Sequence, residues 1–257
     1  MDPAVSDPVA GLDVVYLVRP GEANDELHYS LRSLENLIGH GRVWFVGLLP
    51  RWARNVGHIS GNRGSTKALN VFDNVRLACA DDRLTPDVVV MNDDFYVMRA
   101  MAAVPSWYRG SLDAHIARIK RRSDWLLSLH HTRTWLREHG CPAPLSYELH
   151  KPIVVNRARM LAVLDACVGF HPTVPPQWRT VYGNFWAVEA EPAPDPRIGT
   201  RRPCPTDALF LSSCDGDWRT GPVGQRVRDA FTDQCVYEKP VRPASGDPRR
   251  VGGCVVG

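Results

Sequence analysis

The sequence has no C-x-x-C pair, no long hydrophobic run, no internal repeat and little surplus of charge, and each absence removes a class of protein. Its seven cysteines (Cys79, Cys141, Cys167, Cys204, Cys214, Cys235 and Cys254) are odd in number and irregularly spaced. That argues for reduced thiols, against a disulfide framework or a zinc knuckle. Apolar runs such as Val43–Leu49 fall far short of the roughly 20 residues that a membrane helix needs. The opening stretch MDPAVSDPVAGLD carries acids and prolines where a secretory signal needs a basic start and an apolar core, so the expected location is the cytoplasm. A formal charge of +3 over 257 residues names no partner.

What is present reads as one α/β unit, with 44% hydrophobic and 23% charged residues. LDVVYLVRPG (12–21) is a buried strand running into a loop at Pro20-Gly21. NDELHYSLRSLENLIG follows with Leu27, Leu31, Leu34 and Leu37 or Ile38 at helical spacing, Asn24 or Asp25 as cap and Gly39 as stop. RVWFVGLLP (42–50) is a second strand, TKALNVFDNVRLACAD (66–81) a second helix, and PDVVVMND a third strand. This alternation predicts a mostly parallel, Rossmann-like sheet flanked by helices, in which ligands sit beyond the carboxyl ends of the strands. Farther on, SYELHKPIVVNRARMLAVLDAC reads as a turn and strand passing into a helix, DALFLSSCDGDW as a short strand and loop, and GPVGQRVRDAFT as a helix. The expected organisation is a single catalytic domain over 1–239, with a helical insert at about 99–146 and a loose tail over 240–257.

Three polar clusters fall at strand ends: RPGEANDE, RWARNVGH and NDD. The last, Asn92-Asp93-Asp94, sets two like charges against the end of a buried strand, an arrangement that needs a cation or a set of strong donors to be stable. Such a pair serves structurally as a helix cap or salt-bridge partner. The alternative is a divalent ion: Mg²⁺ or Mn²⁺ takes oxygen ligands, one or two of them carboxylates, and leaves positions for phosphate and water.

The segment SGNRGSTKALNVFDNVRLACADDRLTPDVVVMNDDF resembles the nucleotide-sugar-binding half of GT-A glycosyltransferases. There a loop and helix of the form N-x-G-x-x-x-A-x-N, matched here by Asn62, Gly64, Ala68 and Asn70, precede a strand ending in an acidic element. The resemblance implies a GT-A-like fold with Asp93 and Asp94 holding Mn²⁺ or Mg²⁺ against a donor diphosphate. More of the chain is similar to the Stealth family of capsule-type sugar-phosphate transferases, through DVVYLV, NDELHYSLRSLE, VVVMNDDFYV and ELHKPIVVNR in that order. His28 stands where that family usually has arginine, and LVRPGEAND replaces its T-W-V-D-G-x-D ending. This second likeness implies that Asn24, Asp25 and Glu26 lie at the donor site and His150 near the reaction centre.

The remaining candidates each carry two readings. His150 is a base able to work near neutral pH or a structural residue beside a proline. Arg32 reaches a phosphate with its forked donors or pairs with Glu35 along its helix. Lys67 neutralises a diphosphate or stands solvated at a helix start. Arg179, Asp215 and Asp217 resemble late blocks of the Stealth family; either acid completes a metal shell or acts as base, or Asp-Gly-Asp is turn chemistry. Arg109–Glu138 holds seven basic residues against three acids, a local +4. It is a solvated helix surface or a docking face for an anionic acceptor, with Trp107, Tyr108, Trp125 and Trp135 available for stacking.

The expectation is therefore a metal-dependent glycosyltransferase that moves a sugar from a nucleotide-sugar donor, a UDP-sugar first, to a hydroxyl acceptor such as modified DNA or a phosphorylated glycan. One alternative is a Stealth-like sugar-1-phosphate transferase. Another, of a different class, is a non-catalytic nucleic-acid-binding protein.

Overall fold

A computed structural model describes residues 6–21, 24–167, 170–171, 173–198 and 202–240. Eleven strands are described: β1 (Ser6–Pro8), β2 (Asp13–Val18), β3 (Val43–Gly47), β4 (Gly57–Ser60), β5 (Asp87–Asn92), β6 (Phe95–Val97), β7 (Ala103–Pro105), β8 (Trp107–Tyr108), β9 (Ile153–Asn156), β10 (Glu191–Pro192) and β11 (Phe210–Ser212). Eight α-helices accompany them: α1 (Asp25–Arg32), α2 (Lys67–Ala80), α3 (Leu112–Ala117), α4 (Asp124–Glu138), α5 (Arg157–Ala166), α6 (Trp178–Phe185), α7 (Asp215–Thr220) and α8 (Pro222–Ala230).

The fold is α/β, built on a mixed, mostly parallel five-stranded sheet in the order β4-β3-β2-β5-β9, with β9 the antiparallel member. The unbroken apolar runs of the central strands follow from cover on both faces. Side chains alternate sides along a strand, so Val15, Leu17, Trp44, Val46, Val88 and Val90 enter one core with α2, α5 and α6. Their neighbours Val14, Tyr16, Val43, Phe45, Val89 and Met91 enter another with α1. Asp13 closes the far end of the sheet, accepting from the Arg42 and Thr85 amides and the Trp44 indole.

Several elements depart from expectation. The helix after β2 ends at Arg32 and continues as a 3₁₀ turn over Ser33–Asn36 rather than running on to Gly39. A strand, β4, arises within VGHIS, where the sequence reads as a polar cluster. WRTVYGNF forms α6, and CDGDW, read as a loop or turn, supplies the start of α7. Residues 99–146, expected as a helical insert, hold two helices, α3 and α4. The expected tail, from residue 241 onward, lies outside the described residues, as does Cys254; the other six cysteines are free thiols. No helix among the described residues is long and apolar enough to cross a membrane.

Candidate functional site

The chain leaves β2 toward β3 on one flank and reaches β9, beyond β5, on the other, so the carboxyl ends of adjacent β2 and β5 border a crevice of the kind where α/β sheets bind ligands. β5 ends in Asn92, and Asp93 and Asp94 follow it. Because β9 is antiparallel, with Val90 opposite Ile153, the residues preceding β9 return to the same end of the sheet. That register brings His150 toward the acids from a segment about 55 residues away in sequence.

Two cavities meet here. One, of about 450 Å³, is lined by Arg19, Asn62, Asn70, Asp93 and Asp94 among others. The second, of about 510 Å³, is lined by Phe95, Trp125, Glu148, His150, Arg179 and Arg197 among others. Lys67, Val71 and Asn92 face both and form the wall between them.

The repulsion between the two acids is offset by groups of the protein itself. Asp93 Oδ2 accepts from Asn24 Nδ2 at 2.7 Å and pairs with Arg19 at 3.3 Å. Asp94 Oδ2 accepts from Arg197, which also donates to the Ser213 carbonyl at 2.7 Å. Glu26, buried on α1, accepts from Ser213 Oγ at 2.6 Å and pairs with Arg19. Burial, reinforced by Asp93 alongside, pushes Asp94 up to about 7 despite Arg197. Its Oδ1 is buried without a hydrogen-bond partner.

That orphaned oxygen is the observation on which a metal can be tested. No group of three or more His, Cys, Asp or Glu suited to a metal occurs among the described residues. A pair of carboxylates, one with an unsatisfied oxygen, fits an ion that draws its remaining ligands from phosphate and water. The acids at the end of β5 are such a pair.

The second cavity holds the other reactive group. His150 Nδ1 lies 2.9 and 3.0 Å from the two carboxylate oxygens of Asp195, which also accepts from the His150 amide at 3.1 Å. Arg109 pairs with the same carboxylate at 3.3 Å. Donation from Nδ1–H to a carboxylate fixes the tautomer in which Nε2 carries the lone pair. Burial lowers the His150 pKa, against the pull of Asp195, so the ring is neutral at physiological pH. Arg179 is 5% exposed, donates from Nη1 to the Lys151 carbonyl at 3.0 Å and leaves Nη2 without a partner. Burial lowers its pKa to about 10. Its guanidinium sits against the rings of Trp178 and Phe95 at 4.5 and 5.4 Å.

The candidates read from sequence therefore divide. Asp93, Asp94, Asn92, Lys67, His150 and Arg179 line the paired cavities. Asn24 and Glu26 stand behind the acids, Asn24 also capping α1 by accepting from the Leu27 amide. Asp25 is exposed and lines neither cavity. Arg32 meets neither a phosphate position nor Glu35. Its guanidinium grips Glu238 through Nε and Nη2 at 2.9 and 2.8 Å, and His28, stacked on Trp52 at 3.6 Å, joins the same carboxylate at 2.6 Å. The signature NDELHYSLRSLE is thus largely scaffold. Asn62 lines the first cavity, but its side chain is spent on the Val18 carbonyl and on buried Asn74. The Asn70 Oδ1 likewise accepts from the Gly64 amide, closing the loop. The Asp215 side chain lies outside what is described, while Asp217 is fully buried and faces neither cavity.

Asp195, Arg197, Asn74 and Glu238 are missed by sequence reasoning. Asp195 sits in PAPDPR, which reads as a proline loop, and Glu238 lies 206 residues from Arg32. A buried polar residue on an apolar helix face is the one local signal, and it marks Asn74 alone. No family model matches the chain, and no curated protein matches it in sequence.

Proposed function

We propose that this chain is a metal-dependent transferase of GT-A-like architecture that moves a sugar from a nucleotide-sugar donor to a hydroxyl acceptor. The observation that carries the reading is the meeting of two cavities at one wall, with the acid pair in the first and the His150–Asp195 pair in the second. A two-substrate transfer needs that division, because donor and acceptor must be held apart until their reacting atoms meet.

In this reading the nucleoside diphosphate occupies the cavity of Asp93 and Asp94, and Lys67 on the shared wall faces its negative charge. A divalent ion held by the two aspartates, when bound, supplies positive charge to the diphosphate leaving group. His150 takes the proton of the acceptor hydroxyl on Nε2 while Asp195 holds the ring through Nδ1. The acceptor oxygen bonds to the anomeric carbon as the bond from that carbon to the diphosphate oxygen breaks, and the nucleoside diphosphate departs with the electron pair.

A second reading, transfer of a sugar 1-phosphate by attack at the β-phosphorus, is favoured by one feature. Arg179 Nη2 is unpartnered in a cavity that Arg197 also lines, as a site for a retained phosphate requires. Calorimetry with a panel of UDP-sugars and Mn²⁺ tests both. Saturable, metal-dependent binding that Asp94→Ala abolishes supports a transferase. Undiminished binding of DNA with no nucleotide-sugar binding supports the non-catalytic alternative. Mass spectrometry of the product then separates the two transfers, since only the second leaves a phosphate on the transferred sugar.

A further inference from the structure

The loop between α3 and α4 carries Arg118, Lys120, Arg121 and Arg122, all exposed, and none of their side chains makes an ion pair or hydrogen bond among the described residues. Other cations of the same segment are paired: Arg133 and Arg137 both hold Asp113, at 3.0 and 2.8 Å, and Arg109 holds Asp195. Four adjacent, uncompensated cations repel one another, and such a cluster is stable because water, or a polyanion, screens it.

This loop is joined to the second cavity through Trp125. It leads directly into α4, capped by Ser123, and the second residue of that helix, Trp125, is 41% exposed and lines the cavity. The helix is fastened to the cavity wall: Ser128 Oγ donates to the Pro175 carbonyl at 2.5 Å, and Gln177 donates to Ser128 Oγ and Thr132 Oγ1. Cations and aromatic ring are thus held as a ledge beside the opening.

We propose that this ledge docks a single-stranded nucleic acid, its phosphates along Arg118–Arg122 and a base on Trp125, so that one nucleotide of the strand enters the cavity as acceptor. A single strand supplies both complements of the ledge, since each nucleotide carries a phosphate for the run of cations and a flat base for the exposed indole that follows it. Trp125, 41% exposed, and half-buried Phe72 line the cavity with rings on which a base can stack, whereas Phe95 and Trp178 are buried against the Arg179 guanidinium. The acceptor role rests on the transferase reading; the docking does not.

Fluorescence anisotropy with a labelled single strand of about 20 nucleotides tests it. Four phosphate contacts at a slope of about 0.7 each predict that wild-type affinity falls roughly 50-fold between about 50 and 200 mM salt. Substituting Arg118, Lys120, Arg121 and Arg122 together by Gln removes most of that dependence and weakens binding at low salt by tenfold or more. Trp125→Ala lowers affinity by about tenfold with the salt slope unchanged. Donor binding by calorimetry, retained in the four-Gln variant, certifies its fold. A wild-type chain that fails to bind the strand, or a four-Gln variant with the wild-type slope, overturns the proposal. So does displacement of the strand by dextran sulfate at equal charge together with an inert Trp125→Ala, which marks a surface for anionic glycans. Strand binding with this pattern but no UDP-sugar binding in wild type upholds the ledge and sinks the transferase.

Discussion

Replacing Asp94 by Asn is expected to make the protein more stable while disabling it. The carboxyl has an unfolded reference near 3.8 and is pushed up to about 7 by burial and by Asp93, so the fold disfavours its charged form. Below about pH 3.8 the group is neutral in both states and costs nothing. Between that value and about 7 the unfolded chain releases its proton first, and stability falls as pH rises. Above about 7 the cost is complete. Three units at about 1.36 kcal/mol each give roughly 4 kcal/mol. Because 16% of the side chain remains open to water, about 2–4 kcal/mol is the expected range. Arg197, 35% exposed, loses little when its partner becomes neutral, since such an exposed cation is readily solvated. Urea denaturation of wild type and Asp94→Asn at about pH 4 and pH 8 measures the difference. The variant should gain 2–4 kcal/mol over wild type at the higher pH and almost nothing at the lower. An Asp94→Asn protein that is less stable than wild type at about pH 8, or a gain independent of pH, refutes the reasoning and makes the Arg197 pair a net stabilising contact.

Three other outcomes are expected. Glu238 behaves in the opposite sense: burial raises its pKa, but Arg32, the Cys235 amide and His28 outweigh that and draw it down to about 2. Glu238→Gln should therefore cost roughly 3 kcal/mol near neutral pH, a gap that closes as pH falls from about 4.5 through 2 in denaturant titrations. Asp195→Asn should lower kcat at least about 100-fold. It should also shift the acidic limb of the pH–rate profile downward, because Asp195 raises the His150 pKa; an unmoved limb assigns the base elsewhere. Gly47→Ala should destabilise by about 2 kcal/mol or more in thermal unfolding, because Gly47 has φ of +116° and a Cβ there would lie 2.2 Å from the Val18 carbonyl oxygen.

The contrast between the two carboxylates shows what a sequence displays and what it hides. The central strands β2, β3 and β5, the Asn24 cap and α2 follow from local periodicity and cap chemistry, and the acid pair stands out because like charges rarely adjoin at the end of an apolar run. The partners that decide what those acids do are far away in sequence. Arg197 is 103 residues from Asp94, and Asp195 is 45 from His150. Such pairings are set by the register of β5 against β9 and by loops rich in proline, neither of which leaves a period to read. Helices α6 and α7 escape for a related reason: Gly183 and Gly216 weaken their local preference, and tertiary packing of Trp178, Val181 and Trp218 supplies what the segment lacks. Arg32 was open to a phosphate or to Glu35 on its own helix, and the residue it grips lies near the opposite end of the chain.

The insert is closed at its neck. Main-chain hydrogen bonds cross it, from the Arg109 amide to the Ser146 carbonyl at 2.7 Å and from the Ser146 amide to the Gly110 carbonyl at 2.9 Å, while Ser111 bridges to Leu145. The same segment is fastened a second time along α4, where Ser128 and Thr132 meet Pro175 and Gln177. Lengthening it costs only about 0.6 kcal/mol per doubling of a flexible loop, and the central sheet keeps its strand order. A replacement for 111–145 would therefore have to keep the Ser128 and Thr132 contacts as well as the clasp, while the aspartates after β5 belong to a separate part of the fold.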